Sequence, residues 1–211
     1  MPITHIILGA GGAGRTIAGA CHHLDNELGF LDDHVTVPEV NGIPVLGTLA
    51  ARTNYRDAFC IVGFGSRSQA ARREVFRQLC ADGFRFFNVI APDAYVDRDA
   101  RLGRGIFIGA QCAILPNAAI GDNCNLCVAC TLDHDVVLGE GVYLSPGVNL
   151  AGTVVVEEGA FIGIRATVAP GVRIGAWATV GAGAVVLHDV APGDTVVGVP
   201  ARSLQRGGSK Q

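Results

Sequence analysis

The chain has 211 residues, a formal net charge of −3 at pH 7 and 49% hydrophobic residues, with 29 glycines. This slightly acidic balance argues against a nucleic-acid-binding surface or a polybasic membrane patch. No apolar stretch approaches the roughly 18 residues of a membrane span, and no signal peptide is recognisable. We therefore expect a cytoplasmic protein with no nucleic-acid or membrane partner, long enough for one large or two modest domains.

The first ninety residues alternate strand-like and helix-like patterns. The apolar segment His5–Leu8 predicts a strand, residues 9–14 match G-x-G-x-x-G, and Arg15–Leu28 predicts a helix. Further strands are predicted at Phe30–Leu31, Ile43–Gly47, Cys60–Phe64 and Phe84–Val89, with a second helix at Gln69–Ala81. This order is typical of one half of a doubly wound sheet, an α/β half-Rossmann domain suited to one nucleotide.

The glycine-rich segment predicts a phosphate site. Gly9, Gly11 and Gly12 would let a phosphate approach the backbone at the N-terminus of the first helix. The acidic pair Asp32 and Asp33 follows at about the spacing of the dinucleotide fingerprint. These five residues are the predicted substrate-binding set. The alternative is that the glycines only permit a tight turn from strand to helix.

A six-residue repeat fills the rest of the chain. From Ile90 to Val186 every sixth residue is Ile, Leu or Val, and the residue four positions later is apolar and mostly small. This period fits neither a helix nor an ordinary strand and indicates a hexapeptide-repeat parallel β-helix. Three hexapeptides close one triangular coil, so residues 18 apart should stack. Glycines such as Gly109 and Gly121, just after the large residue, are predicted to ease the bend between faces.

These patterns divide the chain into three parts. We predict a Rossmann-like domain at 1–89, a left-handed parallel β-helix of between five and six coils at 90–190, and a C-terminal turn and tail at 191–211. Tyr143 and Phe161 would point outward from the flat faces and leave apolar strips exposed. Because such strips usually mark an interface, we expect three-fold closure into a homotrimer.

Two histidines, His134 and His188, fall within the coils. His134 lies between two carboxylates, and a base with a pKa of about 6.5 suits acyl transfer at neutral pH. A neighbouring carboxylate can fix the imidazole tautomer, and Asp135 or Asp133 could do so. Gly152 lies 18 residues after His134, so its N–H is a candidate oxyanion donor one coil above. The alternative is a merely exposed histidine, which is what we expect for His188.

Cysteines suggest packing rather than metal binding. The chain has 7 cysteines and no export signal, which favours small hydrophobic side chains in a reducing compartment. A metal site built from Cys124, Cys127 and Cys130 fits the spacing, but alternation points Cys127 to the opposite face from the other two. We therefore expect no metal.

In this order, the two halves resemble the PglD/NeuD-type sugar acyltransferases, a branch of the hexapeptide-repeat acyltransferase superfamily. The resemblance covers nearly the whole chain. The motifs that carry it are 9–12 (Gly-Ala-Gly-Gly), 29–33 (Gly-Phe-Leu-Asp-Asp), 44–47 (Pro-Val-Leu-Gly), 133–135 (Asp-His-Asp), 137–139 (Val-Leu-Gly), 145–147 (Ser-Pro-Gly), 159–163 (Gly-Ala-Phe-Ile-Gly) and 197–201 (Val-Gly-Val-Pro-Ala).

The resemblance implies a set of ligands and roles. The N-terminal domain would hold a nucleotide-linked amino sugar, and acetyl-CoA, the cosubstrate, would lie in a groove between prisms of a trimer. His134 would be the general base, Asp135 its acidic partner and Gly152 the oxyanion donor. The predicted coenzyme contacts are Tyr143, Gly152, Ile164, Ala182 and Pro200. The chain departs from the family pattern at Ala13 and Tyr143, where the family often has histidine, and at Cys127, where it has asparagine.

The leading hypothesis is therefore an acetyl-CoA-dependent sugar N-acetyltransferase in surface-glycan precursor synthesis. A second enzyme hypothesis is O-acetylation of a sialic-acid-type hydroxyl. A γ-type carbonic anhydrase, also a trimeric prism, would need three histidines converging on zinc, and the coils carry two. The non-catalytic alternative is a nucleotide-sugar-binding relative that has lost activity.

Overall fold

A computed structural model describes residues 2–24, 27–66 and 69–204. The N-terminal part begins with an α/β unit. Its elements are β1 (His5–Leu8), α1 (Gly12–Gly19), β2 (Leu28–Leu31), β3 (Glu39–Val40), β4 (Ile43–Pro44), β5 (Phe59–Val62), α2 (Gln69–Ala81) and β6 (Arg85–Phe86), with 3₁₀ helices at His22–Leu24 and Leu49–Tyr55.

Four parallel strands form the N-terminal sheet in the order β2-β1-β5-β6. Side chains of β1 alternate between two apolar clusters, because successive residues of a strand point to opposite faces. Ile7 packs with Phe30 and Ile17 on one face, and Ile6 and Leu8 belong to the cluster on the other. Both faces are thus covered, as parallel sheets require. The predicted half-Rossmann fold is confirmed.

The prediction of a helix over Arg15–Leu28 was wrong. The helix α1 begins three residues earlier, at Gly12, and ends at Gly19. Ala20 and Cys21 donate to the carbonyls of Ile17 and Ala18, which tightens the chain out of the helix. Leu28 instead pairs with His5 at the start of β2, so pairing between strands overrides the helical pattern there.

The remaining strands build a triangular prism, and each face is a parallel sheet. The first face contains β7 (Val89–Ile90), β10 (Phe107–Ile108), β13 (Asn125–Leu126), β16 (Tyr143–Leu144), β19 (Phe161–Ile162), β22 (Thr179–Val180), β24 (Thr195–Val197) and the antiparallel β25 (Arg202–Ser203). The second contains β8 (Tyr95–Val96), β11 (Ala113–Ile114), β14 (Thr131–Leu132), β17 (Asn149–Leu150), β20 (Thr167–Val168) and β23 (Val185–Val186). The third contains β9 (Arg101–Leu102), β12 (Ala119–Ile120), β15 (Val137–Leu138), β18 (Val155–Val156) and β21 (Arg173–Ile174).

The six-residue pattern fills the interior of the prism, as predicted. Large residues such as Leu126 and Leu144 and small ones such as Cys130 are fully buried in one continuous cluster. Strand partners are 18 residues apart, for example Leu126 with Leu144, so every coil adds one layer to the core. Ile90 is the exception, with 38% of its surface exposed. It lies on the first strand of its face, where only one neighbouring coil covers it.

The glycines after the large residue have a different cause from the predicted one. Gly109 and Gly139 are outside the left-handed region, but a Cβ on Gly139 would lie 2.7 Å from the Glu158 nitrogen of the next coil. Close stacking therefore requires glycine at these positions. The bends lie two residues later, where every sixth residue from 105 to 183 has a φ between +55° and +71°. Many of these residues are not glycine, including Asn117, Asp135 and Arg165.

The helix α2 covers part of the prism. Arg73 of α2 bonds both carboxylate oxygens of Glu158 at 3.0 and 3.1 Å, and Arg72 donates to the Gly141 carbonyl at 2.6 Å. The prediction that Tyr143 exposes an apolar strip was wrong, because its ring is only 8% exposed and lies beside Arg72. Phe161, which stacks on Tyr143, is half-buried. Among the described residues, no helix is long and apolar enough to cross a membrane.

Candidate active site

The three edges of the prism carry different side chains at the same repeat position. We name each edge after one residue and define it by a stack of residues 18 apart. The His134 edge is Pro116, His134, Gly152, Pro170 and His188; the Ile164 edge is Ala110, Val128, Pro146, Ile164 and Ala182; the Glu140 edge is Arg104, Asp122, Glu140, Glu158 and Ala176.

An exposed histidine–carboxylate pair marks the His134 edge. The turn between β14 and β15 holds His134 and Asp135, and Nδ1 of His134 lies 2.8 Å from Oδ2 of Asp135. Their side chains are 56% and 49% exposed. Asp133 makes a different contact, because its carboxylate accepts the backbone N–H of His134 at 2.7 Å. Of the two predicted partners, Asp135 is therefore the one that contacts the ring.

This pairing sets the tautomer and the acidity of the ring. An Nδ1–H that donates to Asp135 leaves the lone pair of Nε2 free. The hydrogen bond to Asp135 raises the pKa of His134 above its ordinary value, with a further contribution from the charge of Asp133. Asp135 reaches this position through a left-handed backbone, φ 60°, which Asp and Asn adopt more readily than most residues. The pair is thus a base held in one orientation by its neighbour.

Gly152 lies directly above the imidazole, as its position 18 residues later predicts. A Cβ at Gly152 would lie 2.5 Å from Nε2 of His134 and 2.7 Å from Cε1. Only a glycine leaves room for the ring there. Within the part of the chain that the structure describes, the Gly152 N–H donates to no acceptor. An unpaired donor therefore lies next to the free nitrogen of the candidate base.

The predicted coenzyme contacts Ile164 and Ala182 lie on a different edge. Ile164 is 52% exposed, and Ala182 is exposed one coil above it. Their N–H groups find no acceptor among the residues described. A column of free donors beside small or apolar side chains suits an extended amide-containing arm. Within one chain, the whole second face of the prism separates this edge from His134.

The other two predicted coenzyme contacts are not beside Ile164. Tyr143 lies on the first face, where its hydroxyl is 3.4 Å from Sγ of Cys127 and its ring stacks on Phe161 at 5.8 Å. Burial raises the pKa of the Tyr143 hydroxyl, and the adjacent Cys127 adds to the shift. Pro200 is exposed in the turn between β24 and β25. All four cysteines of the coils are free, and Cys127 is half-buried where the others are buried.

The predicted substrate-binding residues meet in one cavity of about 630 Å³ in the N-terminal domain. Gly9, Gly11, Gly12, Asp32 and Asp33 all line it, at the carboxyl ends of β1 and β2. Side chains from α2 complete the opposite wall. This is where open α/β sheets bind ligands, in the crevice beyond the strand ends.

The glycines of this cavity do not all serve the turn. A Cβ on Gly14 would lie 1.8 Å from the Gly9 carbonyl oxygen, and Gly9 itself has φ +105°, so these two are needed for the turn. Gly11 and Gly12 have no such need, because a Cβ on either would meet nothing within 4 Å. The tight-turn explanation thus accounts for Gly9 and Gly14 but leaves Gly11 and Gly12 free for the approach of a ligand.

The two acidic residues are held in place by backbone donors. Asp32 accepts the N–H of Ala10 at 2.7 Å and those of His34 and Val35. Partial burial acts to raise the pKa of Asp32, but these three hydrogen bonds lower it below its ordinary value. Asp33 accepts the Leu49 N–H at 2.8 Å. Both carboxylates therefore face the cavity in fixed positions.

Sequence reasoning missed one further feature, an apolar cleft of about 600 Å³ between α1 and the first coils. Phe107, Cys127, Val128 and Pro146 line its prism side, and Ala20 lines its other side. The signal was present in the sequence, because Val128 and Pro146 are 18 and 36 residues before Ile164 and Ala182 and so belong to the same edge. The cleft thus continues the Ile164 edge down to the N-terminal domain.

Two families match parts of the chain. Residues 5–79 match the family described as PglD N-terminal domain, and residues 153–188 match the bacterial transferase hexapeptide family. None of the curated proteins matches the chain significantly. Among the described residues, no group of three His, Cys, Asp or Glu side chains could hold a metal ion.

Solved structures match over nearly the full length. The acetyltransferase domain of PglB from Neisseria gonorrhoeae FA1090, in complex with acetyl coenzyme A, is 32% identical with a TM-score of 0.90, over 97% of this chain and 100% of that one. A variant of perosamine N-acetyltransferase from Caulobacter crescentus, with CoA and GDP-perosamine, is 33% identical with a TM-score of 0.89, over 97% of both chains. WeeI from Acinetobacter baumannii AYE is 27% identical with a TM-score of 0.87.

Proposed function

Because the chain belongs to the hexapeptide-repeat sugar N-acetyltransferases that carry a PglD N-terminal domain, we propose that it transfers the acetyl group of acetyl-CoA to the amine of a nucleotide-linked amino sugar. The N. gonorrhoeae relative binds acetyl-CoA, and the C. crescentus relative binds CoA and GDP-perosamine. The observation that carries the proposal is the His134–Asp135 pair beneath Gly152, which supplies the base this reaction needs.

His134 acts as the general base. Its Nε2 accepts the proton that the sugar amine loses as the amine attacks the thioester carbonyl. Asp135 holds Nδ1–H at 2.8 Å and stabilises the imidazolium that forms. The imidazolium then returns its proton to the departing thiolate. No nucleophilic side chain is needed, because the thioester already carries an activated acyl group.

Gly152 stabilises the charge that develops on the carbonyl oxygen. Its N–H has no acceptor among the residues described and lies beside Nε2 of His134. A backbone donor placed in advance requires no rearrangement when the charge appears. The base and the donor are thus on consecutive coils of one edge, and coil stacking sets their separation.

The cavity of the N-terminal domain holds the nucleotide. Gly11 and Gly12 leave space for a diphosphate at the N-terminus of α1, whose dipole favours an anion. Asp32 and Asp33 face the same cavity and suit the hydroxyls of a ribose. The nucleotide base and the sugar follow from the acceptor assay described below.

The complete site is formed between subunits of a homotrimer. Ile164 and Ala182 offer free N–H donors for the pantetheine arm, but they are on another edge than His134. Three-fold closure brings the His134 edge of one prism to the Ile164 edge of the next. Pro200 contacts the coenzyme from the C-terminal turn, and Tyr143 acts from beneath the groove, next to Cys127. The cytoplasmic location stays a prediction.

O-acetylation of a sugar hydroxyl uses the same base and donor, so the site geometry alone does not separate the two acceptors. The named activity of the C. crescentus relative favours the amine. The experiment is an acceptor panel with acetyl-CoA: GDP- and UDP-linked amino sugars against sialic-acid-type hydroxyl sugars, with release of free CoA as the readout. Turnover only with hydroxyl acceptors would contradict N-acetylation, and coenzyme binding without any turnover would support the non-catalytic alternative.

His134→Ala in the same assay tests the mechanism. We expect kcat to fall on the order of 100- to 10,000-fold, the usual contribution of a general base. His188→Ala is the matched control, since it removes the other histidine of the same edge, three coils above. It should leave kcat unchanged. Near-normal turnover of the His134→Ala protein would refute the role of this residue.

A further inference from the structure

A buried arginine joins the nucleotide cavity to the prism. Arg72 is only 2% exposed, although it lies on the surface helix α2. Its Nη2 donates to the Gly141 carbonyl at 2.6 Å, and its guanidinium carbon lies 5.4 Å from the centre of the Tyr143 ring. Its Nε has no hydrogen-bond partner. The helix is thus anchored in the prism by a charged side chain.

This burial is unfavourable by itself. Among the described residues, no carboxylate lies within ion-pair distance of Arg72, whereas Arg73 and Arg77 of the same helix both pair with glutamates. Removing a guanidinium from water without a counter-ion costs free energy, and an apolar side chain of similar size would commonly be as stable or more stable. Stability of the fold therefore does not account for an arginine at this position.

The opposite side of α2 faces the ligand cavity. Ala71 and Val75, on either side of Arg72 in sequence, line the cavity that contains Gly11 and Gly12. On the prism side, Tyr143 contacts Cys127, which lines the apolar cleft at the foot of the Ile164 edge. A continuous chain of contacts therefore runs from the wall of the nucleotide cavity, through Arg72 and Tyr143, to the edge where the coenzyme is proposed to bind.

We propose that Arg72 is a positioning residue that fixes the nucleotide cavity relative to the prism, so that a sugar held by its nucleotide reaches the transfer site. This inference rests on the proposed function. The guanidinium suits the task because it is planar and rigid, and it both stacks on an aromatic ring and donates to a carbonyl. The residue touches neither the cavity nor the reacting atoms, and acts through the placement of α2.

A positioning role has a specific kinetic signature. The nucleotide still binds to its own domain, and acetyl-CoA still binds to the prism, so neither affinity should change. Only the distance between amine and thioester is altered, and a displacement of about 1 Å can reduce the rate on the order of 100-fold. A purely structural role would instead lower the melting temperature and leave kcat per folded molecule unchanged.

The test compares Arg72→Met with the matched control Arg77→Met. Arg77 is on the same helix, its side chain is 53% exposed, and it contacts Glu140 at 3.6 Å. For Arg72→Met we expect kcat with the nucleotide amino sugar to fall about 10- to 100-fold. The KM for acetyl-CoA and the Kd for the free nucleoside diphosphate should stay within about twofold, and the melting temperature should be maintained or raised. Arg77→Met should change none of these values.

Arg72→Lys provides a second variant if Arg72→Met does not fold. It keeps the charge and one donor but loses the planar stack on Tyr143, so we expect a several-fold fall in kcat at unchanged KM for acetyl-CoA. Unchanged kcat in folded Arg72→Met, or in Arg72→Lys when the Met variant does not fold, would overturn the inference while the wild-type enzyme remains active. If the wild type turns over no nucleotide amino sugar, the proposed function fails and this inference fails with it.

Discussion

The His134 edge and the Glu140 edge share one backbone and differ in what covers them. On the Glu140 edge, α2 lies over the turns, where Arg73 bonds Glu158 at 3.0 Å and stacks over Trp177 at 4.8 Å. On the His134 edge, half of each side chain of the His134–Asp135 pair is exposed within the chain. The same repeat position therefore serves domain contact on one edge and is left open for chemistry on another. The side chain at one position of the repeat, and not the fold, makes the site.

The largest effect on this comparison should come from closing the space above His134. In Gly152→Ala the new Cβ would lie 2.5 Å from Nε2, so the imidazole must move, and we expect kcat to fall on the order of 100-fold. The backbone tolerates a Cβ at this repeat position, since Ile164 and Ala182 carry one. The melting temperature should therefore change little. Adding the substitution to His134→Ala should cause no further loss, and an additional large loss would contradict a clash with the ring.

A smaller effect is expected from the acidic partner. The wild-type enzyme should lose activity as the pH falls through the pKa of His134, which Asp135 holds above its ordinary value. In Asp135→Asn the pKa falls, so the acidic limb of kcat/KM should move to lower pH, and kcat at neutral pH should fall about tenfold. Asparagine tolerates the left-handed backbone at this position. Asp133→Asn is the control and should move the limb less, and an equal shift in both variants would contradict the assignment.

The smallest effects should separate two kinds of glycine. In Gly139→Ala a Cβ would lie 2.7 Å from the Glu158 nitrogen, so we expect roughly 1–3 kcal/mol of destabilisation in chemical unfolding. In Gly11→Ala a Cβ would meet nothing, so the free energy of unfolding should change by about 0.5 kcal/mol or less. The KM for the nucleotide sugar should nevertheless rise about tenfold, equivalent to about 1.4 kcal/mol. Unchanged KM would indicate that Gly11 does not face the ligand.

The two halves of the molecule differ in how far the sequence predicts them. The prism repeats one unit, so a residue such as Gly152 could be placed above His134 by counting 18 positions. In the N-terminal domain no repeat corrects a local error, and the helical pattern of 15–28 lost to the pairing of Leu28 with His5. The left-handed turn positions were not predicted, because residues as different as Asp135 and Trp177 occupy them. The stacked coils impose that conformation, and side-chain preference does not.

The site was predictable only where it follows the repeat or a motif. His134, Asp135 and Gly152 could be grouped from spacing and type, and the glycine cavity from its motif. Arg72 could not be found in this way, since a helical arginine on a polar face reads as exposed. Its burial depends on the packing of α2 against the prism, a contact between residues 69 positions apart in sequence.

The central claim, that each site joins two edges from different chains, is tested most directly by mixing two inactive proteins. His134→Ala removes the base, and Ile164→Glu places a charge on the exposed edge proposed for the coenzyme. In a mixed trimer, one interface pairs an intact His134 edge with an intact Ile164 edge, so random co-assembly should restore about a quarter of the wild-type activity. Activity that stays at the level of the separate variants, in trimers shown to contain both chains, would contradict the account.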